Sequence, residues 1–253
     1  MILSWDVGMY NLSYCLICKK NKINDVSGND VSGNDVSGNN VSENDVSGND
    51  VSGNNVSGNN VSGNDVFGND VSSNNIYKFD NYYIKDWGIL NIADKVNLKK
   101  NKIGVFSNII DVLDKYPHFL DCEHVLIENQ PCMKNPTMKS IQMIIYSYFL
   151  INGCKNSFSK INNVKFISPM NKLKVYDGPE FELKVKSKYS QRKKSAIIHS
   201  KYFLQNNPKF LSFFNSNKKN DDLADSLLQG LYFIKNIIEK PPKKPRKKRK
   251  KSK

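Results

Sequence analysis

The stretch MILSWDVGMYNLSYCLICKK, residues 1–20, reads as two strands folded back on each other through a turn around Gly8 to Asn11. Alternation along the first strand puts Leu3, Trp5 and Val7 on one face and Ile2, Ser4 and Asp6 on the other. That strand ends in a carboxylate, Asp6, which is costly to bury unless a cation meets it. Working outward, YYIKDWGILNI (82–92) predicts a third strand, EHVLIENQ (123–130) a fourth and NVKFISP (163–169) a fifth, closed by Pro169. A helix is predicted over about 100–115, with Ile103, Phe106, Ile109, Ile110 and Leu113 at helical spacing. Further helices are predicted around 138–150, 190–204 and 222–238. The order βββ-α-β-α-β-α-α, three strands and then alternation, describes an α/β fold with helices packed on a mixed sheet.

The domain expected from these elements comprises residues 1–23 and 74–239. Between its two parts, residues 24–73 are ten consecutive five-residue units of the type Asn-Asp/Asn-Val-Ser-Gly. Each unit has one small apolar residue among turn formers, so the tract is expected to be a disordered insertion. It falls in the second hairpin loop, where closure costs grow only slowly with length. A pentapeptide solenoid is the rival reading, which a central valine with asparagine two places before it fits poorly. Residues 240–253, KPPKKPRKKRKKSK, form a basic tail, also expected to be disordered.

The net charge is +14; the tail removes ten positive charges from that total and the tract eight negative ones, leaving a globular part at +12. A polyanionic partner follows, nucleic acid before an anionic membrane. No apolar run reaches the roughly 18 residues of a membrane span, and no signal-peptide pattern opens the chain. A soluble, intracellular protein is expected. Cys15, Cys18, Cys122, Cys132 and Cys154 are odd in number and scattered, which suits reduced thiols. Cys15 and Cys18 form a single CxxC; on a strand they would point to opposite faces, so they read as core residues and not as zinc ligands.

Glu128 repeats the problem posed by Asp6, since it ends the run Val125, Leu126, Ile127. The last predicted helix opens with Asp221, Asp222 and Asp225. Asp222 and Asp225, three residues apart, point about 60° from each other on one face. Any one acid has an ordinary explanation: capping and the helix dipole for Asp221, solvent for a strand end. Two strands ending in acids plus a DxxD pair in a basic chain call for cations between them. Oxygen-only donors, with His118, His124 and His199 outside the motifs, indicate a hard ion, Mg²⁺ or Mn²⁺. Two such ions about 4 Å apart would lower the pKa of an attacking water and steady a leaving 3′ oxygen.

The segments ILSWDVGMYNLSY, HVLIENQP, VKFISP, YSQRKKSAI and DDLADSLLQGL, in that order, resemble the RuvC-like Holliday junction resolvases of the RNase H-like superfamily, most closely the poxvirus branch. The resemblance spans the chain apart from the tract and the tail, which are departures from the family pattern. It implies an RNase H-like mixed five-stranded sheet with helices on both faces. It also implies a catalytic and metal-binding set of Asp6, Glu128, Asp222 and Asp225, with a catalytic basic residue at Lys193 or Lys194. Lys193 is preferred because it shares a helical face with Ile197, Ser200 and Leu204. Its role would be to hold the scissile phosphate or stabilise charge at the leaving oxygen.

Basic residues interleaved with aromatics over 172–194, including Lys184, Lys186, Lys188, Arg192, Lys193 and Lys194, form a candidate phosphate-tracking surface. The resemblance implies a homodimer with two equivalent sites, acting on branched DNA without a small-molecule cofactor. The expected activity is a Mg²⁺-dependent endonuclease, with Mn²⁺ able to substitute, that resolves four-way junctions and concatemers by paired nicks. The rivals are a flap or RNA–DNA hybrid nuclease of the same fold, and a non-catalytic DNA-binding protein. The tail reads as non-specific DNA affinity or a nuclear signal; a viral protein would act in host cytoplasm.

Overall fold

The computed structural model describes residues 1–20, 81–93, 99–133, 135–183, 185 and 187–239. The chain divides into two units, Met1–Asn21 with Asn75–Lys253, and Lys22–Asn74. The second unit, the tail, Lys184 and Lys186 lie outside the described residues. The elements are β1 (Ile2–Val7), β2 (Asn11–Lys19), β3 (Tyr82–Asn91), α1 (Lys102–Asp114), β4 (His124–Glu128), α2 (Pro136–Phe149), β5 (Asn163–Ile167), α3 (Lys188–Leu204), α4 (Pro208–Ser216) and α5 (Asn220–Phe233). Both α2 and α5 run on into π-helical turns, Leu150–Cys154 and Ile234–Ile238.

The strands lie in the order β3-β2-β1-β4-β5. β2 is antiparallel to β1 and β3, whereas β1, β4 and β5 run parallel. This is the mixed five-stranded sheet that was expected. β1 sits at its centre and is buried on both faces, with Leu3, Trp5 and Val7 on one and Ile2 and the hydrogen-bonded Ser4 on the other. Leu3, Trp5 and Val7 pack with Ile109 and Leu113 of α1 and Ile141 and Ile145 of α2. On the opposite face Ile2, Ile17 and Leu126 pack with Ala196 of α3 and Leu223, Leu227 and Leu231 of α5. Helices therefore cover both faces. Among the described residues no helix is long and apolar enough to cross a membrane.

Two elements differ from the sequence expectation. In α1 the buried stripe is Val105, Ile109 and Leu113, while Ile103 is 82% exposed and Ile110 43%. Both sets repeat at helical spacing, so periodicity located the helix but not its rotation. The second difference is α4, an additional helix between α3 and α5. Its start has an ordinary signature: Pro208 occupies the first turn and Asn207 Oδ1 accepts the Phe210 N–H at 3.2 Å. Phe214 of α4 stacks on Trp87 of β3 at 5.5 Å, covering that end of the sheet. All five cysteines are free; Cys15 and Cys18 are buried core residues.

The β1–β2 turn is closed by the Gly8 N–H donating to the Asn11 carbonyl at 3.1 Å. A Cβ on Gly8 would lie 2.7 Å from that same oxygen, a backbone atom that cannot rotate away. Gly8→Ala is expected to open the turn and lower stability by about 1–3 kcal/mol, as overpacking does. Urea denaturation of the two proteins checks this.

Candidate metal centre

Because β1 and β4 are parallel neighbours with Trp5 opposite Ile127, the residues that follow, Asp6 and Glu128, emerge at the same end of the sheet. α5 delivers the third carboxylate. It lies close to the sheet because residue 230 is glycine: a Cβ there would sit 2.7 Å from Ile17 Cδ1 and 3.4 Å from Ser4 Cβ. Buried polar bonds fix its position further. Gln229 Nε2 donates to Ser4 Oγ at 3.1 Å and to the Trp5 carbonyl at 3.2 Å. Ser226 Oγ meets Ser13 Oγ at 3.0 Å, and Trp87 Nε1 donates to the Leu223 carbonyl at 3.2 Å. With the helix so held, one carboxylate oxygen each from Asp6, Glu128 and Asp225 lie within 4.8 Å of one another.

Glu128 is oriented from behind. Gln130 Nε2 donates to Glu128 Oε2 at 2.8 Å and to the Val7 carbonyl at 3.4 Å, while Gln142 Oε1 accepts the Gln130 N–H at 2.9 Å. In front of it stands a residue that the sequence reading did not single out. Lys172 follows β5 on a short 3-10 turn, and its Nζ lies 3.0 Å from Glu128 Oε1 and also pairs with Asp225. The only signal for it was its place at the start of the basic 172–194 stretch.

These contacts set the electrostatics. Burial, with the charges of Glu128 and Asp225, pushes Asp6 well above the usual carboxylate range. Burial also lifts Asp225 to about 6, against the pull of Lys172. For Glu128 burial acts upward too, but Lys172 and the hydrogen bonds around it bring it below its ordinary value. Burial works against the charge on Lys172, yet Asp225, Asp6 and Glu128 hold it above the ordinary lysine range. Three carboxylates thus face a single ammonium, and two of them resist ionising. An all-oxygen donor set whose acids ionise fully only when more positive charge arrives fits a hard divalent cation.

Asp222 lines the same cleft but stands outside the three-carboxylate group. It lies 3.8 Å from Lys219, and burial together with Asp221 raises its pKa. Lys193 also lines the cleft, pairs with the Asp221 carboxylate and sits 5.2 Å over the Tyr189 ring. Lys194 is exposed and is not among the cleft-lining residues. Arg192 lines the cleft, and Lys188 is exposed at the start of α3. The other proposed phosphate contacts, Lys184 and Lys186, are outside the described residues.

No protein-family model matches the chain. Uncharacterized protein L451 of Acanthamoeba polyphaga mimivirus is 39% identical over 146 residues, covering 54% of this chain and 35% of that protein. The chain thus spans about a third of the length of the curated relative it matches. Three solved structures are similar to the chain. The Fowlpox virus resolvase, in complex with Holliday junction DNA, has a TM-score of 0.48 at 15% identity, covering 94% of this chain and 99% of that one. The yeast mitochondrial Holliday junction resolvase Ydc2 has a TM-score of 0.48 at 13% identity, over 92% and 78%. The T. thermophilus RuvC, in complex with its Holliday junction substrate, has a TM-score of 0.40 at 9% identity, over 92% and 94%.

Proposed function

We propose that this protein is a metal-dependent, structure-selective endonuclease that hydrolyses phosphodiester bonds in four-way DNA junctions. The observation that carries this reading is the convergence of Asp6, Glu128 and Asp225, from β1, β4 and α5, in a cleft edged by Arg192 and Lys193. The motifs shared with RuvC-like resolvases point the same way. Asp6, Glu128 and Asp225 would hold Mg²⁺, with Asp222 at the margin for a second ion; Mn²⁺ would substitute. Bound there, the ions lower the pKa of the attacking water and stabilise charge on the leaving oxygen. Gln130 keeps Glu128 oriented, and Lys193 and Arg192 align the phosphate backbone along the cleft.

A four-way junction offers two equivalent strands, so a two-fold homodimer would place paired nicks and leave ligatable 5′-phosphate ends. Purified protein offered synthetic four-way junctions, flaps and RNA–DNA hybrids, with Mg²⁺ or EDTA, tests the reading. Mg²⁺-dependent cleavage of the junction in preference to the others is expected. Preferential hybrid cleavage would instead favour a ribonuclease of the same fold, and binding without cleavage would favour a DNA-binding protein.

The pKa directions give a pH prediction. Between its unfolded value of about 3.9 and its folded value of about 6, Asp225 binds more protons in the native state than in the unfolded chain. Stability of the ion-free protein therefore falls as pH rises through that window, and the loss is complete above it. Divalent ions need the charged form. Melting curves in EDTA and in Mg²⁺ are expected to differ little at pH 5 and most above pH 7. A Mg²⁺-induced shift that shrinks as pH rises would contradict the assignment.

A further inference from the structure

We propose that Lys172 is a built-in stand-in for a divalent ion: its ammonium bridges Glu128 and Asp225 in the ion-free protein, and ion entry displaces it into the cleft. The inference rests on the metal-dependent reading above and deepens it. Lys172 Nζ lies 3.0 Å from Glu128 Oε1 and pairs with Asp225 as well, so one ammonium ties the end of β4 to α5. Its side chain is only 14% exposed, drawn in among the acids. An ammonium is a compact single charge on a flexible stem. A Mg²⁺ ion carries twice that charge and takes oxygen ligands at about 2.0–2.1 Å. The two cannot share the space between the same pair of carboxylates.

The turn that carries Lys172 has an anchor independent of these ion pairs. Val175, at the other end of its 3-10 turn, is buried, and its carbonyl accepts from Lys235 Nζ at 2.9 Å. A displaced ammonium therefore swings on its own four-carbon stem and stays within the cleft, beside Arg192 and Lys193. Ion loading then adds a positive charge where a nucleic-acid phosphate would lie. By linkage, phosphate that holds Lys172 in the outward position must also tighten ion binding.

Two measurements test this. In Lys172→Met, Mg²⁺ or Mn²⁺ titrated calorimetrically at pH 7.5 is expected to bind about fivefold tighter or more, within the usual range of such couplings. The variant's ion-free melting temperature should fall while its ion-saturated one matches wild type. Weaker ion binding by the variant would mean that Lys172 supports the ion, and overturns the proposal. Should that variant not fold, the wild-type chain suffices: acylation of lysines read by mass spectrometry is expected to label Lys172 at least about fivefold faster with Mg²⁺ than with EDTA. Mg²⁺ binding with unchanged labelling defeats the displacement alone and leaves the nuclease reading standing. Absence of any Mg²⁺ or Mn²⁺ binding to the wild type defeats both.

Discussion

Asp6→Asn and Asp225→Asn are each expected to lower junction cleavage by about 10³-fold or more, the consequence of losing several kcal/mol of ion-derived charge stabilisation. Neither change should unfold the protein. In the ion-free state Asp6 is pushed toward its protonated form by burial and by the charges of Glu128 and Asp225, and asparagine is close in shape to a neutral aspartic acid. For Asp6→Asn, removing a charge that the site resists is expected to leave the EDTA melting temperature at or above that of wild type. The Mg²⁺-induced rise, by contrast, should largely vanish. Junction binding in a gel shift should persist, because the proposed phosphate contacts, Lys193 and Arg192, line the cleft wall and are untouched by either change. Wild-type cleavage by Asp6→Asn would remove the carboxylate from the mechanism.

The second large effect is on the fold. Trp5 is fully buried at the centre of β1, edge-on to Phe119 at 5.3 Å and tilted against Tyr14 at 5.5 Å and Phe149 at 6.1 Å. Trp5→Ala is expected to cost about 3–5 kcal/mol, a large share of the roughly 5–15 kcal/mol typical of a domain. Among the described residues its indole N–H has no hydrogen-bond partner. Trp5→Phe gives up volume but also removes an unsatisfied buried donor, so its cost should be smaller than the lost volume alone implies. Urea denaturation followed by circular dichroism measures both. A Trp5→Ala protein as stable as wild type would mean that this cluster does not hold the sheet together.

The sheet could be read from residues because its signals are local. Alternation in residues 2–7 told which side chains meet α1 and α2, and the apolar run ending in Glu128 marked a central strand. The acidic residues stood out because carboxylates interrupt otherwise apolar elements. Other features depend on tertiary placement. Nothing in the spacing of α1 chooses Val105 over Ile103 for the core; the shape of the sheet beneath decides it. Lys172 is one lysine among many in its stretch, and only the path of the chain after β5 brings it to Glu128. Asp222 and Asp225 look equivalent in sequence, yet the tilt of α5 places one within the group and the other beside it. The Asn207-Pro208 start of α4, by contrast, was a local signal that could have located the helix.

Asp6 and Asp225 lie far apart in sequence, one on β1 and the other on α5. During synthesis, therefore, the sheet can begin to assemble well before α5 leaves the ribosome, while the carboxylate cluster is still missing a member. A chain released before α5 is made would carry Asp6 and Glu128 but lack Asp225, so the three-carboxylate group cannot form by stages: it is present whole or not at all.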